Sequence, residues 1–511
     1  MKRICTLLLA AGLVFGAATG ASAIDFKAKG QWLMGFGVGE ASPMDTYRNN
    51  GVKTKGNTED NFQAAQRLRL QLDAVASEAL SGTVFFEIGT TQWGQSSSGG
   101  ALGADANNVI RLKRAYLDWA VPESDAKVRM GIQGVALPNV AGGSAVMDTD
   151  VAGITVNYKF NENVGLTALW ARPLNDNFAD GEHEGKQANY LDNLDLFSLM
   201  LPLTFDGVKV TPWAMYGMVG KNALKGAWNT KENSYDAIGT RDGNPKFTLR
   251  PYPGLTGADS VGKTGNAYGG AFWAGLPIAL TLWDPLNIEL DINYGYMQGM
   301  GRFDAVKNGV TKRSSTERQG WLAKALVEYK LDWGVPGLLG WYASGDDGNP
   351  KNGSERMPSI VPMGNFTSFL GDGNMGWVRQ DYVVDYAGTW GIGAQIRDMS
   401  FLEDLSHTFR VAYFGGTNST GMVKYMASSH AWATDYGNGA PSPYLTTKDG
   451  LLEFNLVNSY KIYENLEMNL ELDYVANFMD NSTWKKANGG NAGSFSKQDM
   501  WKAQVVFAYS F

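Results

Sequence analysis

Trp501-Lys-Ala-Gln-Val-Val-Phe-Ala-Tyr-Ser-Phe511 reads differently at odd and even positions. Trp501, Ala503, Val505, Phe507, Tyr509 and Phe511 form one set, largely aromatic. Lys502, Gln504, Val506, Ala508 and Ser510 form the other, smaller or more polar. Successive side chains of a β-strand point to opposite faces, so a period of two assigns the sets to two faces of one strand. A soluble sandwich could hold such a strand as readily as a membrane barrel. The other end of the chain separates the two.

Met1-Lys2-Arg3 is basic, Leu7 to Ala18 is apolar, and Ala21-Ser22-Ala23 has the small-x-small pattern of a cleavage site. Residues 1–23 are therefore expected to be an export signal and 24–511 a single mature unit. The apolar run is too short to span a bilayer comfortably. Cys5 lies within it and lacks the small residues that precede a lipoprotein cysteine, so the mature chain is expected to have no thiol or disulfide chemistry.

The 511 residues carry a net charge of −7, more negative still without Lys2 and Arg3. That argues against nucleic acid as a partner, which needs a basic face to neutralise phosphates. No later stretch offers about 18 uninterrupted apolar residues, so a helical span is not expected. A barrel strand shows lipid only its alternate residues and dilutes the apolar signal in just this way.

The alternation recurs along the chain. The first strand (Trp32, Met34, Phe36, Val38) follows the cleavage site closely, leaving no room for an N-terminal plug domain. In the second, Leu68, Leu70, Leu72 and Ala74 alternate with Arg67, Arg69, Gln71 and Asp73. Charges at alternate positions cost a few kcal/mol each against lipid near mid-membrane, so these must face water or protein. Glu87 in the third strand, Arg114 in the fourth, and Lys127 and Arg129 in the fifth follow the inward parity. Strand eleven alternates Ile288, Leu290, Ile292, Tyr294 and Tyr296 with Glu289, Asp291, Asn293 and Gly295. Strand seventeen does the same with Leu466 to Tyr474 against Glu467, Asn469, Glu471 and Asp473. Other strands are expected at Trp321–Tyr329, Leu338–Ala343, Tyr386–Ile396, Phe409–Tyr413 and Leu452–Leu456. Connections alternate between a few residues and long Gly/Asn/Ser/Asp-rich stretches, the short-turn, long-loop rule of outer-membrane barrels. The count is an all-β, antiparallel transmembrane barrel of 18 strands, or 16 if the weak segments around Leu276 and Leu338 merge with neighbours.

The signal, the early first strand, Gln66-Arg-Leu-Arg-Leu-Gln-Leu-Asp73 and the aromatic C-terminus resemble general bacterial porins, most nearly the outer-membrane homotrimeric porin family of sulfate-reducing bacteria. The resemblance implies a trimer of open barrels in the outer membrane, in contact with its lipid and lipopolysaccharide. It also implies a C-terminal Phe511 read by the barrel-assembly machinery, and passive diffusion of small hydrophilic solutes without a cofactor. It further implies that the third external loop, about 134–150, folds inward and narrows the channel. Asp148 and Asp150 on that loop would then face a basic wall of Arg67, Arg69, Arg114, Lys127 and Arg129. Opposed charges across a waist would set a transverse field and an ion preference. The plainer alternative is that these arginines neutralise nearby carboxylates such as Glu87 and Asp73. The acidic inner faces of strands eleven and seventeen suggest that the basic ladder occupies one sector.

Other features have bland readings beside the sharper ones. Trp93, Trp377 and Trp432 could form a sugar-stacking slide of a substrate-specific channel, or belong to interfacial girdles. Asp242–Lys246, Asp347–Lys351 and Gly371–Asn374 could offer oxygens to Ca²⁺, or simply form turns. His183, His407 and His430 lack metal-ligand spacing, and no Gly-x-Ser-x-Gly elbow occurs, so an enzyme is not expected. A barrel that only anchors a surface enzyme or adhesin is the remaining alternative.

Overall fold

The computed structural model describes residues 24–511 except 42, 50–51, 56–61, 96–100, 102–109, 176–190, 224–227, 230–233, 236–258, 262–265, 308–309, 363, 365, 372–382, 426–443 and 485–495. The expected signal therefore lies outside the described residues.

Eighteen antiparallel strands close into one barrel. They are β1 (Asp25–Glu40), β2 (Gln63–Ser77), β3 (Leu80–Gln92), β4 (Ile110–Ala120), β5 (Ala126–Ala136) and β6 (Asp148–Lys159). Next come β7 (Gly165–Asn175), β8 (Asn193–Met200 and Leu203–Phe205), β9 (Val208–Val210 and Trp213–Gly220) and β10 (Tyr268–Trp283). Then follow β11 (Leu286–Met297), β12 (Arg318–Tyr329), β13 (Val335–Ala343) and β14 (Thr389–Leu402). The last are β15 (Leu405–Gly416), β16 (Gly450–Tyr463), β17 (Leu466–Asn477) and β18 (Met500–Ser510). β8 and β9 are each interrupted at a proline, Pro202 and Pro212, which has no N–H to give the ladder. The segments around Leu276 and Leu338 are full strands, which decides 18 over 16. Tyr386 is not part of β14 as expected; that strand starts at Thr389, and Tyr386 is buried among residues of two loops.

Closure comes from β18 pairing with β1, Gln31 opposite Ser510 through Glu40 opposite Trp501. Gly30 N–H donates to Phe511 O at 2.8 Å, and Phe511 N–H to Gly30 O at 3.0 Å. Outward parity carries Trp32, Leu72, Leu117, Met130, Ile292, Trp321, Leu338, Ile392, Leu472 and Trp501, all exposed. Such a belt is unfavourable in water and expected in lipid. The turns at one end are short: Asp206-Gly207, Asp284-Pro285, Glu403-Asp404 and Glu464-Asn465 join β8–β9, β10–β11, β14–β15 and β16–β17. The other end carries the long external loops.

A Cβ on Gly30 would lie 2.5 Å from Phe511 Cζ and 2.7 Å from Arg69 O. Gly30→Val should therefore weaken the closing seam by about 1–3 kcal/mol, the usual cost of overpacking. The check is the temperature at which the compact gel band converts to the unfolded one; an unchanged temperature would contradict the seam contact.

Candidate functional site

An eighteen-stranded barrel encloses more space than its own inward side chains fill. Two external loops occupy much of it. The third loop is shorter than expected, 137–147, because β5 continues to Ala136 and β6 starts at Asp148. Its Val140 and Ala141 N–H groups both donate to Asp291 Oδ2 on β11, at 3.0 and 2.7 Å. Lys324 on β12 donates to Gly143 O, Tyr386 hydroxyl to Gly142 O, and Trp213 Nε1 to Pro138 O at 3.1 Å. Gly142 has φ +63°, and a Cβ there would lie 2.5 Å from Phe366 and from the Tyr386 hydroxyl. Only glycine fits that turn and that approach together.

The seventh loop, between β13 and β14, is the second inward element. Ser368, Phe369 and Leu370 N–H groups donate to the Glu453 carboxylate on β16, at 3.1, 2.9 and 3.0 Å. Arg318 donates to Arg356 O at 2.8 Å and Met357 O at 3.0 Å, and Trp273 Nε1 to Pro358 O at 2.9 Å. The loops also join each other, with Ile360 N–H donating to Val146 O at 2.8 Å and Asp148 N–H to Val361 O at 2.8 Å. Leu137, Val146, Met147, Ile360, Phe369 and Leu370 are buried in one apolar core with wall residues Trp273 and Leu322.

Beneath the loops the wall is a hydrogen-bonded belt. Gln395 donates to Glu328 at 2.9 Å, Arg410 to Gln395 and to Asn455 at 3.2 Å each, and Asn455 to Asp473. Lys502 lies 3.1 Å from Asp473 and 3.4 Å from Glu471. Asp291 of β11 and Glu471 and Asp473 of β17 are thus buried beside lysines, while Glu289 and Glu467 stay half-buried and accept from Asn287 and Asn469.

The wall from β2 to β6 differs. Arg69 pairs with Glu87 at 2.9 Å. Arg129 makes a two-pronged pair with Asp118, at 2.7 and 2.8 Å, with its guanidinium 4.1 Å over the Tyr116 ring. Arg114 lies 5.4 Å over Phe85 and 2.6 Å from Asp150. The Arg69 and Arg129 side chains keep 33% and 37% of their surface exposed, whereas Lys324 and Lys502 keep none. Arg67, half-buried, lies in the electrostatic field of Arg69 and Glu87. A cavity of about 500 Å³ adjoins this wall, lined by Asp118, Arg129, Gln133, Thr155, Asn157 and Lys127 among others. Lys127 sits near its short-turn end, opposite Ala120 and Asn157.

The expected opposition across a waist is not what the structure holds. Asp148 and Asp150 belong to β6, paired with Ala136 and Gly134, because the β5–β6 ladder runs three residues further out than the loop boundary predicted. Asp150 shares the outward parity of Ala152 and Ile154, and Arg114 and Lys113 (3.0 Å) bind it there, beside Gly134 and away from the lumen. The loop itself, 137–147, carries no carboxylate. Arg69 and Arg129 instead meet carboxylates on their own wall, Glu87 and Asp118. Sequence reasoning missed Tyr116 and Phe85 as supports, and Asp291, Lys324 and Glu453 as anchors. A charge set between two alanines, as with Lys324 between Ala323 and Ala325, was the available signal.

Trp93 meets Phe36 edge-on at 5.3 Å on the outward parity, so it belongs to no lumenal slide; Trp377 and Trp432 lie outside the described residues. His407 Nδ1 is 2.7 Å from Asn458 Oδ1, while His183 and His430 lie outside the described residues. Among the described residues no group of His, Cys, Asp and Glu has a metal-holding arrangement. Asp347 Oδ1 accepts Asn349 N–H at 2.7 Å and Oδ2 accepts Asn352 Nδ2 at 3.0 Å, the bonding of a turn. Asp242–Lys246 and all but Gly371 of Gly371–Asn374 lie outside the described residues.

No protein-family model matches the chain, and no curated protein does. Solved structures similar to it include three from Pseudomonas aeruginosa. OccK11 (OpdR) has 12% identity and a TM-score of 0.46, covering 95% of this chain and 96% of that one. OpdQ has 11% identity and 0.48, and OpdK with vanillate 10% and 0.48, each covering 95% of this chain and 98% of its own. These values are too low to carry function from those proteins to this chain.

Two outcomes follow from the anchors. Glu453→Ala removes hydrogen bonds to a charged acceptor worth about 1.5–3 kcal/mol each. It should free the seventh loop and raise single-channel conductance, with Glu453→Gln in between; equal conductance in all three would exclude the anchor. At the loop base, burial and the nearby Asp347 and Asp346 charges push the Glu355 carboxyl up to about 7 from 4.5. The folded chain then holds the extra proton between those values, so stability falls as pH rises from about 4.5 to 7. Glu355→Gln should flatten that slope in thermal melts, by a small amount because the group is half-exposed; an unaltered slope would contradict it.

Proposed function

We propose that this chain forms a water-filled channel in the bacterial outer membrane for passive diffusion of small hydrophilic solutes and ions. The observation that carries the reading is the division of the lumen. One sector is filled by two anchored loops, and the other keeps half-exposed arginines beside a polar cavity. Permeation through such a path involves no covalent step. Guanidiniums lying flat on rings and held by carboxylates are fixed in place, so they shape the path without collapsing into it. Export through a signal at 1–23, a homotrimeric assembly and recognition of Phe511 during insertion accompany this reading, on the strength of the family resemblance. Cross-linking in native membranes would count the subunits.

Purified protein in a planar bilayer should insert in steps and pass ohmic current with slight ion preference. Replacing Arg69 and Arg129 together with serine should move the reversal potential under a salt gradient toward cation preference. Correctly folded protein without conductance would overturn the channel and leave a barrel that serves as an anchor.

A further inference from the structure

The turn by which the seventh loop leaves β13 holds one amide between two acids. Of the chain's Asn-Gly pairs, Asn352-Gly353 is the one that lies among the described residues. Asn352 is exposed, and its Nδ2 donates to Asp347 Oδ2 and to Glu355 Oε1, each at 3.0 Å. Glu355 Oε2 accepts Asp347 N–H at 3.1 Å, so the amide closes a ring of three residues. Carboxylates this close favour a proton on one of them. Burial, with the Asp347 and Asp346 charges, pushes the Glu355 carboxyl up to about 7, and it is Glu355 that touches the amide nitrogen.

The next residue supplies the other half of the arrangement. Gly353 has φ +104°, and a Cβ there would lie 2.4 Å from Glu317 O, which keeps glycine at this place. Its neighbours are held: Ser354 N–H donates to Glu317 O at 2.9 Å, and Lys351 N–H to Asn349 Oδ1 at 3.2 Å. The Gly353 N–H itself donates to no group among the described residues, and Asn352 Oδ1 accepts from none. A backbone nitrogen with no bond to break and no side chain to screen it thus follows directly on an amide whose nitrogen sits on an acid.

We propose that Asn352 is a deamidation site built into the chain, where conversion of the amide to a carboxylate loosens the base of the seventh loop. Gly353 N loses its proton to water and bonds to Asn352 Cγ. The Cγ–Nδ2 bond breaks, and Nδ2 takes the Glu355 proton and departs as ammonia. Water then opens the succinimide at Cγ to give aspartate, or at the backbone carbonyl to give isoaspartate, and the proton released at the start restores Glu355. The sum is amide plus water to acid plus ammonia, without oxidant or cofactor. Glu355 is the catalytic residue of this step, since it touches the leaving nitrogen and titrates near neutral pH, where a general acid works best. The product sets a third carboxylate beside Asp347 and Glu355 and removes the donor that joined them, so like charges now meet where hydrogen bonds had been. The change runs one way, which makes it a slow clock on the loop that fills half the lumen. The proposal rests on neither conduction nor membrane insertion.

The test is peptide mass mapping of the folded protein after incubation at neutral pH in water labelled with heavy oxygen. The peptide that holds Asn352 should gain the acid and the label, and Glu355→Gln, which keeps an acceptor for the amide, should slow this by about tenfold or more. In denaturant the native chain and the variant should convert at one rate, because the acid is then no longer held on the amide. Should Glu355→Gln fail to give the compact gel band, Asp347→Asn takes its place; it removes the charge that keeps Glu355 protonated and should also slow the conversion. Asn352→Asp, standing for the product, should lose the compact band at a lower temperature than the native chain. No conversion in the folded native chain, or equal rates in the folded chain and the folded variant, would overturn the site. An unchanged transition temperature in Asn352→Asp would overturn the loosening.

Discussion

Two wall carboxylates each accept consecutive backbone N–H groups from a loop that has left the barrel rim, and the rest of the lumen depends on that exchange. Asp291 takes Val140 and Ala141; Glu453 takes Ser368, Phe369 and Leu370. A carboxylate moved out of water is costly unless it is hydrogen-bonded, and so is a peptide N–H without an acceptor. Neither partner would be tolerated alone under a core containing Leu137, Phe369 and Trp273. Together they satisfy one another, and the apolar residues of the loops can then bury against the wall. Lys324 lies 3.6 Å from Asp291, and Lys502, 3.1 Å from Asp473, adds its positive field at Glu453.

The consequence is a lumen of two halves. Under the loops, charges are matched into a belt that runs from Glu328 to Lys502, in which Glu328, Gln395, Asn455, Asp473 and Lys502 are buried. Between β2 and β6 the charges are also paired, but the arginines keep an open face. Arg129 is braced from below by the Tyr116 ring and from the side by the Asp118 carboxylate. Loop filling thus selects which part of a regular barrel remains a path, and strand chemistry decides what that path presents.

The barrel was legible because its rule is local. A period of two in Arg67 to Ala74, or in Ile288 to Tyr296, fixes both faces of a strand from neighbours in sequence. The alternation of short and long connections then orients the whole. The loops were not legible for the opposite reason. Glu453 meets residues 83–85 positions away and Asp291 meets residues 150–151 positions away, with no local pattern to announce either. Tyr386 reads like the start of a strand because its aromatic ring suits a lipid-facing position, yet tertiary packing against Trp341 and Phe366 takes it inward. Asp148 and Asp150 read as loop residues, since Gly142, Gly143 and Ser144 beside them mark a turn; the ladder with Ala136 and Gly134 reclaims them for the wall.

The most direct test of this account is amide hydrogen exchange of the folded protein in micelles, read at Val140, Ala141, Ser368, Phe369 and Leu370. Anchored loops should protect these five amides to the level of the barrel strands, and Asp291→Ala and Glu453→Ala should each release only their own set. Exchange in the native chain as fast as in an exposed peptide would contradict the account, because the loops would then not be held in the lumen.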